Sequence, residues 1–244
     1  MAVGTKTFKE MKKIFVLALM ALFCIGASAG EDEKSKKTTW YVKLGGVSCS
    51  LTDFDAGDYE LAETSSKLGY VVGIAFDRSI GSKGWFWGAG LQLRSKGGKT
   101  HYYTHKDMND DNGGLGGSYT DTWNIDDTYN INTLEIPLSF GYKWRITDDW
   151  AVDFRVGGFF NYDISGNMKE KIYGWYDGKE YSYDETETKI GDLDCDKYSA
   201  GALAGIGVWY KKFNINLTYE LGLMEQFEGG GKEKNLLFTV GYAL

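Results

Sequence analysis

From Trp40 onward, apolar side chains fall on every second position through eight segments: near Trp40 to Val47, Leu68 to Phe76, Trp85 to Arg94, Ile131 to Trp144, Trp150 to Tyr162, Ser199 to Tyr210, Phe213 to Leu223 and Asn235 to Leu244. A period of two belongs to extended chain whose two faces meet different surroundings. In LEIPLSFGYKW, Leu134, Ile136, Leu138, Phe140, Tyr142 and Trp144 share one face, while Glu135, Ser139, Gly141 and Lys143 share the other. Phe213, Ile215, Leu217, Tyr219 and Leu221 alternate in the same way with Asn214, Asn216, Thr218, Glu220 and Gly222. The pattern predicts eight strands.

The connections alternate too. Asp77 to Gly84, Ile146 to Asp149 and Lys211 to Lys212 are short, whereas Ser48 to Lys67, Ser95 to Asn130, Asp163 to Lys197 and Met224 to Lys234 are long. An even number of antiparallel strands with short turns at one end and long loops at the other is the signature of an outer-membrane β-barrel. Closure pairs every backbone amide, as a lipid surround demands. The eleven residues from Leu134 to Trp144, at ~3.3 Å rise and ~40° tilt, cover about 25 Å, the height of the apolar band such barrels expose. Trp40, Trp85, Trp144, Trp150, Tyr210 and Phe213 fall beside the short turns or the N-terminal entry, the place of a periplasmic aromatic girdle. Phe238, Val240, Tyr242 and Leu244 put the outward face of a closing strand at the chain end. A secreted soluble barrel or sandwich also alternates, but it needs its apolar face inside. Here the opposite face, with Gly69, Gly73, Gly88, Gly90, Gly141, Gly157, Gly205 and Gly207, is too glycine-rich for a solvated exterior and too charged for a core.

The single proline, Pro137, interrupts the best-formed segment on its polar face. A closed barrel gives every strand two neighbours, so a residue without an N–H removes a ladder bond wherever it stands. The pattern predicts a local irregularity there, facing the lumen.

Ahead of the strands, Lys12 and Lys13 precede an apolar run from Ile14 to Ile25, and Ala27-Ser28-Ala29 follows as an A-x-A cleavage site. This reads as a secretory signal over residues 1–29, with Met11 an alternative start, and leaves one barrel domain over 30–244. The run is shorter than the ~20 residues of a membrane-spanning helix. Phe23 before Cys24 argues against a lipidation site. Removal of the signal takes the formal charge from -7 to about -10, which excludes nucleic acid as a partner. Cys49 and Cys195 remain, and an oxidising compartment leaves two readings, a disulfide or two free thiols.

Three stretches carry a family resemblance: Leu93-Arg94-Ser95-Lys96-Gly97-Gly98-Lys99, LEIPLSFGYKW, and AGIGVWYKKFNINLTYELGL. Together they resemble the PorT-like outer-membrane β-barrel family of Bacteroidetes over most of the mature chain. The resemblance implies a barrel in the cell outer membrane, and, for some members of that family, a part in protein secretion across that membrane. The chain departs from outer-membrane barrels in ending on Leu244, where an aromatic residue is usual.

Chemistry is sparse. The inward face collects Lys43, Asp77, Arg94, Glu135, Lys143, Asp153, Arg155 and Glu220, four charges of each sign. Eight strands leave an interior that side chains just fill, so the pattern predicts a neutralised ion-pair network that plugs the barrel; the competing reading is a proton relay or narrow channel. His101 and His105 have the i, i+4 spacing of a helical metal pair but sit in a predicted loop. Asp107, Asn109 and Asp111 start like a calcium loop, but Asn112 stands where glycine belongs and Ser118 where the bidentate Glu belongs. No metal and no cofactor are expected. Asn112-Gly113 and Asp177-Gly178 read as hairpin tips. Residues 95–130 and 163–197 hold eight Lys against sixteen Asp or Glu, an acidic rim. Such a rim suits divalent-cation bridging to outer-membrane lipid, or docking of envelope or secretion proteins through Tyr173, Trp175, Tyr176, Tyr181 and Tyr183. No nucleophile elbow or zinc-protease motif is present. A lipid-modifying enzyme built on loop residues such as His101 and Ser118 is the alternative to a structural or partner-binding role.

Overall fold

A computed structural model describes residues 38–52, 60–108, 119–176, 179–189, 191–192, 196–225 and 231–244. The predicted signal, Cys195 and both predicted hairpin tips lie outside the described residues. Ten strands follow in order: β1 (Thr38–Thr52), β2 (Glu60–Ile80), β3 (Trp85–Lys96), β4 (Gly98–Met108), β5 (Tyr119–Arg145), β6 (Trp150–Tyr176), β7 (Lys179–Lys189), β8 (Tyr198–Tyr210), β9 (Phe213–Gly222) and β10 (Lys232–Ala243).

Eight of them, β1, β2, β3, β5, β6, β8, β9 and β10, form a closed antiparallel ring. The last strand closes on the first, from Tyr41↔Ala243 to Thr52↔Lys232. The Leu244 amide adds a bond to the Trp40 carbonyl (2.9 Å). The three tight turns lie where the sequence puts them, and Gly81 and Gly84 take positive φ in the first of them.

The outer surface of the ring carries the predicted apolar faces. Leu138, Phe140, Tyr142 and Trp144 on β5, and Ile215, Leu217 and Tyr219 on β9, are exposed, whereas Glu135, Asn214, Asn216 and Glu220 are buried inside. The six girdle residues are 42–61% exposed and sit at the turn end. Their rings pack sideways: Trp150 on Tyr210 (4.7 Å between centroids), Phe213 on Tyr242 (5.2 Å), Trp85 between Phe140 (5.2 Å) and Tyr142 (5.1 Å), and Trp40 on Phe76 (4.8 Å). The apolar bodies cover the band while their polar edges remain at its rim.

At the other end the strands do not stop where the alternation does. β5 and β6 are 27 residues each, and much of the two longest predicted loops is strand. There β2, β4, β5, β6 and β7 form a five-stranded wall above the ring. β3 and β4 are nearly continuous, broken at Gly97, whose φ is 151° and where a Cβ would collide with the Tyr129 carbonyl.

The outward apolar alternation ends because it reverses. On β5, Ile131 and Tyr129 are buried on the same face as Glu135 and Thr133, while Asn132, Asn130, Thr128 and Asp126 face outward above Leu134. β6 achieves the same reversal with a one-residue bulge: Asn132 pairs with Ser165 and Thr133 with Asp163, leaving Ile164 extra. That bulge sends Lys169 and Lys171 outward and Met168 and Ile172 inward.

Pro137 faces the interior, as the sequence predicts, and lines a lumen cavity. The irregularity is a gap and not a bulge. The β3–β5 ladder runs from Ala89↔Leu138 directly to Gln92↔Glu135 without changing register, while Pro137↔Phe159 on the other side is kept. A missing N–H costs pairing along one edge only.

Candidate functional site

All eight predicted lumen residues point inward; seven form two charged groups, and Lys43 lies in the cavity between them. Nearer the turns, Asp153 takes Nε and Nη2 of Arg155 at 2.9 and 2.8 Å and the Trp209 indole N–H at 2.5 Å. Arg155 also donates to the Tyr41 hydroxyl (3.2 Å) and lies 3.6 Å from Asp77. Lys143 is 3.8 Å from Asp77 and 3.8 Å from the centre of the Trp209 ring. Two carboxylates and two cations close this level, with Phe86 beneath the Arg155 guanidinium (5.3 Å).

Further from the turns, Arg94 is fully buried and surrounded by three carboxylates: Glu135 at 2.9 Å, Glu220 at 2.5 Å and Glu233 at 3.0 Å. Lys96 bridges Glu233 (2.5 Å) and Asp163 (3.0 Å). Neutral groups fill the remaining lone pairs. Gln92 donates to Glu135, Thr133 to Asp163 (2.7 Å), Ser199 to Glu233 (2.9 Å), and Asn235 to both Glu220 (3.3 Å) and Glu233 (3.2 Å). With its amide oriented to satisfy its neighbours, Asn161 accepts from Arg94 Nη2 (2.9 Å) and donates to Glu135 (3.0 Å). Five strands of the ring thus converge on one guanidinium.

Between the two levels lies a cavity of about 40 Å³, lined by Lys43, Gln92, Pro137, Ser139, Asn216 and Glu220 among others. It holds on the order of two or three waters. Charged levels lie above and below it.

The sequence reading assigns four charges of each sign; the described lumen also holds Lys96, Asp163 and Glu233, which alternation alone leaves in loops. Lys96 and Asp163 are recoverable in hindsight by extending the third and fifth segments two residues in phase from Arg94 and Asn161. Glu233 follows likewise from Asn235. Buried asparagines and Trp209 complete the packing, and no titratable pattern signals them.

The wall is different. Its outer face zips charges across strands, Lys169 to Glu187 (3.4 Å) and Lys171 to Glu185 (3.6 Å), and His101 hydrogen-bonds with Asp126 there. Hydrogen bonds from Asn167 and Lys169 hold the Glu187 carboxyl below its usual range. The acidic rim is thus partly neutralised by lysines of the neighbouring strand. On the inner face, Asp127 is buried beside Tyr129, and burial, with Glu170 alongside, pushes it up to about 7. Of the proposed anchors, Tyr173 is described, while the side chains of Trp175, Tyr176, Tyr181 and Tyr183 lie outside the described residues. The same holds for the His105 side chain and Ser118, so His101 is the described member of that pair, and it hydrogen-bonds Asp126. Cys49 is a free, buried thiol whose Sγ lies 3.9 Å from the Ser95 carbonyl. Among the described residues no cluster of three or more His, Cys, Asp or Glu is placed to hold a metal ion.

Solved barrels resemble the chain distantly. Ail, the attachment invasion locus protein of Yersinia pestis, is 11% identical with a TM-score of 0.34, over 85% of this chain and 99% of that one. Neisserial surface protein A is 10% identical with a TM-score of 0.36, over 83% and 96%. The outer membrane protease OmpT of Escherichia coli is 9% identical with a TM-score of 0.29, over 88% and 99%. No curated protein matches. The family model of the outer membrane protein beta-barrel domain, in contrast, matches residues 33–228, most of the chain and every ring strand but β10. The chain belongs to that family, and is an eight-stranded β-barrel of the outer membrane.

Proposed function

We propose that this barrel is a non-conducting, non-enzymatic platform that binds other envelope proteins through its wall, in the manner of a PorT-like protein that assists secretion across the outer membrane. The observation that carries this reading is the length of β5 and β6. Each runs 27 residues, where a crossing needs about 11. The excess is ordered into a sheet whose outward face is polar, while the lumen beneath it is filled by buried ion pairs. A structure built to conduct leaves its lumen open, and a passive anchor has no use for a wall.

Photo-cross-linking in intact cells tests it. A photoreactive residue in place of Asn130, on the wall, is expected to give discrete protein adducts; one in place of Phe154, in the apolar band, is expected to give lipid adducts only. Identical adduct patterns at the two positions, or none from the wall, overturn the reading.

A further inference from the structure

We propose that the free edge of β7 is a docking site for an extended, basic segment of a partner polypeptide, which adds to the wall as one more strand; this rests on the reading of the wall as a binding surface. β7 (Lys179–Lys189) pairs with β6 along one edge, and among the described residues nothing pairs with the other. β8, its successor in the ring, pairs with β6 only below Tyr162. From Ser182↔Gly174 to Lys189↔Asn167 the β6–β7 register is unbroken, the single irregularity lying nearer the tip at Gly174/Trp175. Alternate N–H and C=O groups of this stretch therefore point away from the sheet, a template for strand addition.

The opposite edge of the wall is a poorer template. On β2 the part paired with β4 spans Glu60 to Ser66 and contains a register shift between Leu61 and Glu63.

Charge selects the occupant. The regular stretch carries Asp184, Glu185 and Glu187, all exposed, with its lysine at the far end, Lys189. Glu185 and Glu187 turn to Lys171 and Lys169 on the outer face, while Asp184 shares the other face with Ile172. A second copy paired antiparallel about Asp184 sets that carboxylate against itself and Lys179 against Lys189, so this register repels its own kind. Acidic edges are repelled likewise. A strand bearing Lys or Arg at alternate positions sets them against Glu185 and Glu187 of β7 and gains the free backbone bonds as well.

The test uses the full chain in lipid nanodiscs and a fluorescent peptide of about ten residues alternating Lys and Thr. Two control peptides accompany it, one N-methylated at alternate amides and one with Glu for Lys. The basic peptide is expected to bind saturably and to slow amide exchange at alternate residues of 182–188. N-methylation, the Glu peptide, or the triple change D184N/E185Q/E187Q is expected to weaken binding by about tenfold or more, the scale of several lost backbone or charge contacts. Equal binding of the N-methylated peptide reduces the effect to charge attraction and overturns the proposal. Protection elsewhere in the wall, no binding at all, or dimerisation with β7 protected before peptide is added overturns it too. If wall cross-links at Asn130 persist after such a failure, the edge assignment falls and the wall reading stands.

Discussion

β5 and β6 pass through two environments, and the same two-residue alternation has opposite meaning in each. In the ring, Phe140 and Phe154 face out and Glu135 and Asp153 face in. In the wall, Thr128, Lys169 and Lys171 face out, and Tyr129, Ile131 and Met168 face in. Neither strand turns over in space; the medium outside changes from lipid to water, and each face follows its medium. β6 requires a bulge at Ile164 to make the change, whereas β5 makes it by sequence alone. Apolar alternation therefore reports what surrounds a strand and not which side is the interior. Electrostatics invert as well. In the ring, charges are sealed from water and each depends on its partners; in the wall they are exposed, and each pair is worth little.

The sharpest way to break this contrast is Arg94→Ala. It leaves Glu135, Glu220 and Glu233 buried without their common cation, and is expected to cost about 3–5 kcal/mol. Urea titration of the refolded barrel, read by heat-modifiable gel migration, measures it; an unchanged midpoint contradicts the plug. A one-residue insertion after Gly166 comes next. It moves Lys169 and Lys171 one position along the ladder and onto the inner face, and amide exchange over 167–176 is expected to rise roughly 100-fold, about 2.7 kcal/mol. The ring itself is expected still to migrate as a folded barrel.

Asp127 gives a smaller, pH-dependent effect. Burial, then Glu170, raises its folded pKa to about 7, so the folded wall holds a proton that the unfolded chain has released above about pH 4. Wall stability is then greatest below that value, falls as pH rises through 7, and levels off beyond. Asp127→Asn is expected to flatten the profile and to stabilise the wall by about 2 kcal/mol at pH 8, read as slower exchange in β4 and β5; an unchanged slope between pH 5 and 8 counts against it. Lys171→Ala, on an exposed pair with Glu185, is expected to change wall exchange by only about 0.5 kcal/mol.

Much of the ring was legible because lipid imposes a strict pattern. The outward Trp144, Trp150 and Phe213, the inward Arg94 and Glu220, and the three tight turns all follow from alternation and turn spacing. Of the wall, the hairpins about Asn112-Gly113 and Asp177-Gly178 were legible, and β4–β5 and β6–β7 pair on the flanks of those tips; its continuity with the ring was not, because reversal of the pattern at Ile131 on β5 and the unpaired Ile164 on β6 resemble the end of a strand in one dimension. The ends read at Arg94, Tyr162 and Asn235 hid Lys96, Asp163 and Glu233, and with them the division of the lumen into two charged levels. The inward face of Pro137 follows from alternation, but whether it bulges or leaves a gap depends on the register with β3 across the ladder, which no single segment reveals.

On the proposed reading, the ion pairs of the closed ring serve as a plug and leave interaction to the wall. Planar-bilayer recording of the purified chain tests it most directly. The account expects no reproducible current from the native protein under either polarity, and discrete openings only when Arg94 or Arg155 is replaced in a variant that still migrates as a folded barrel. A reproducible single-channel conductance in the native protein contradicts it.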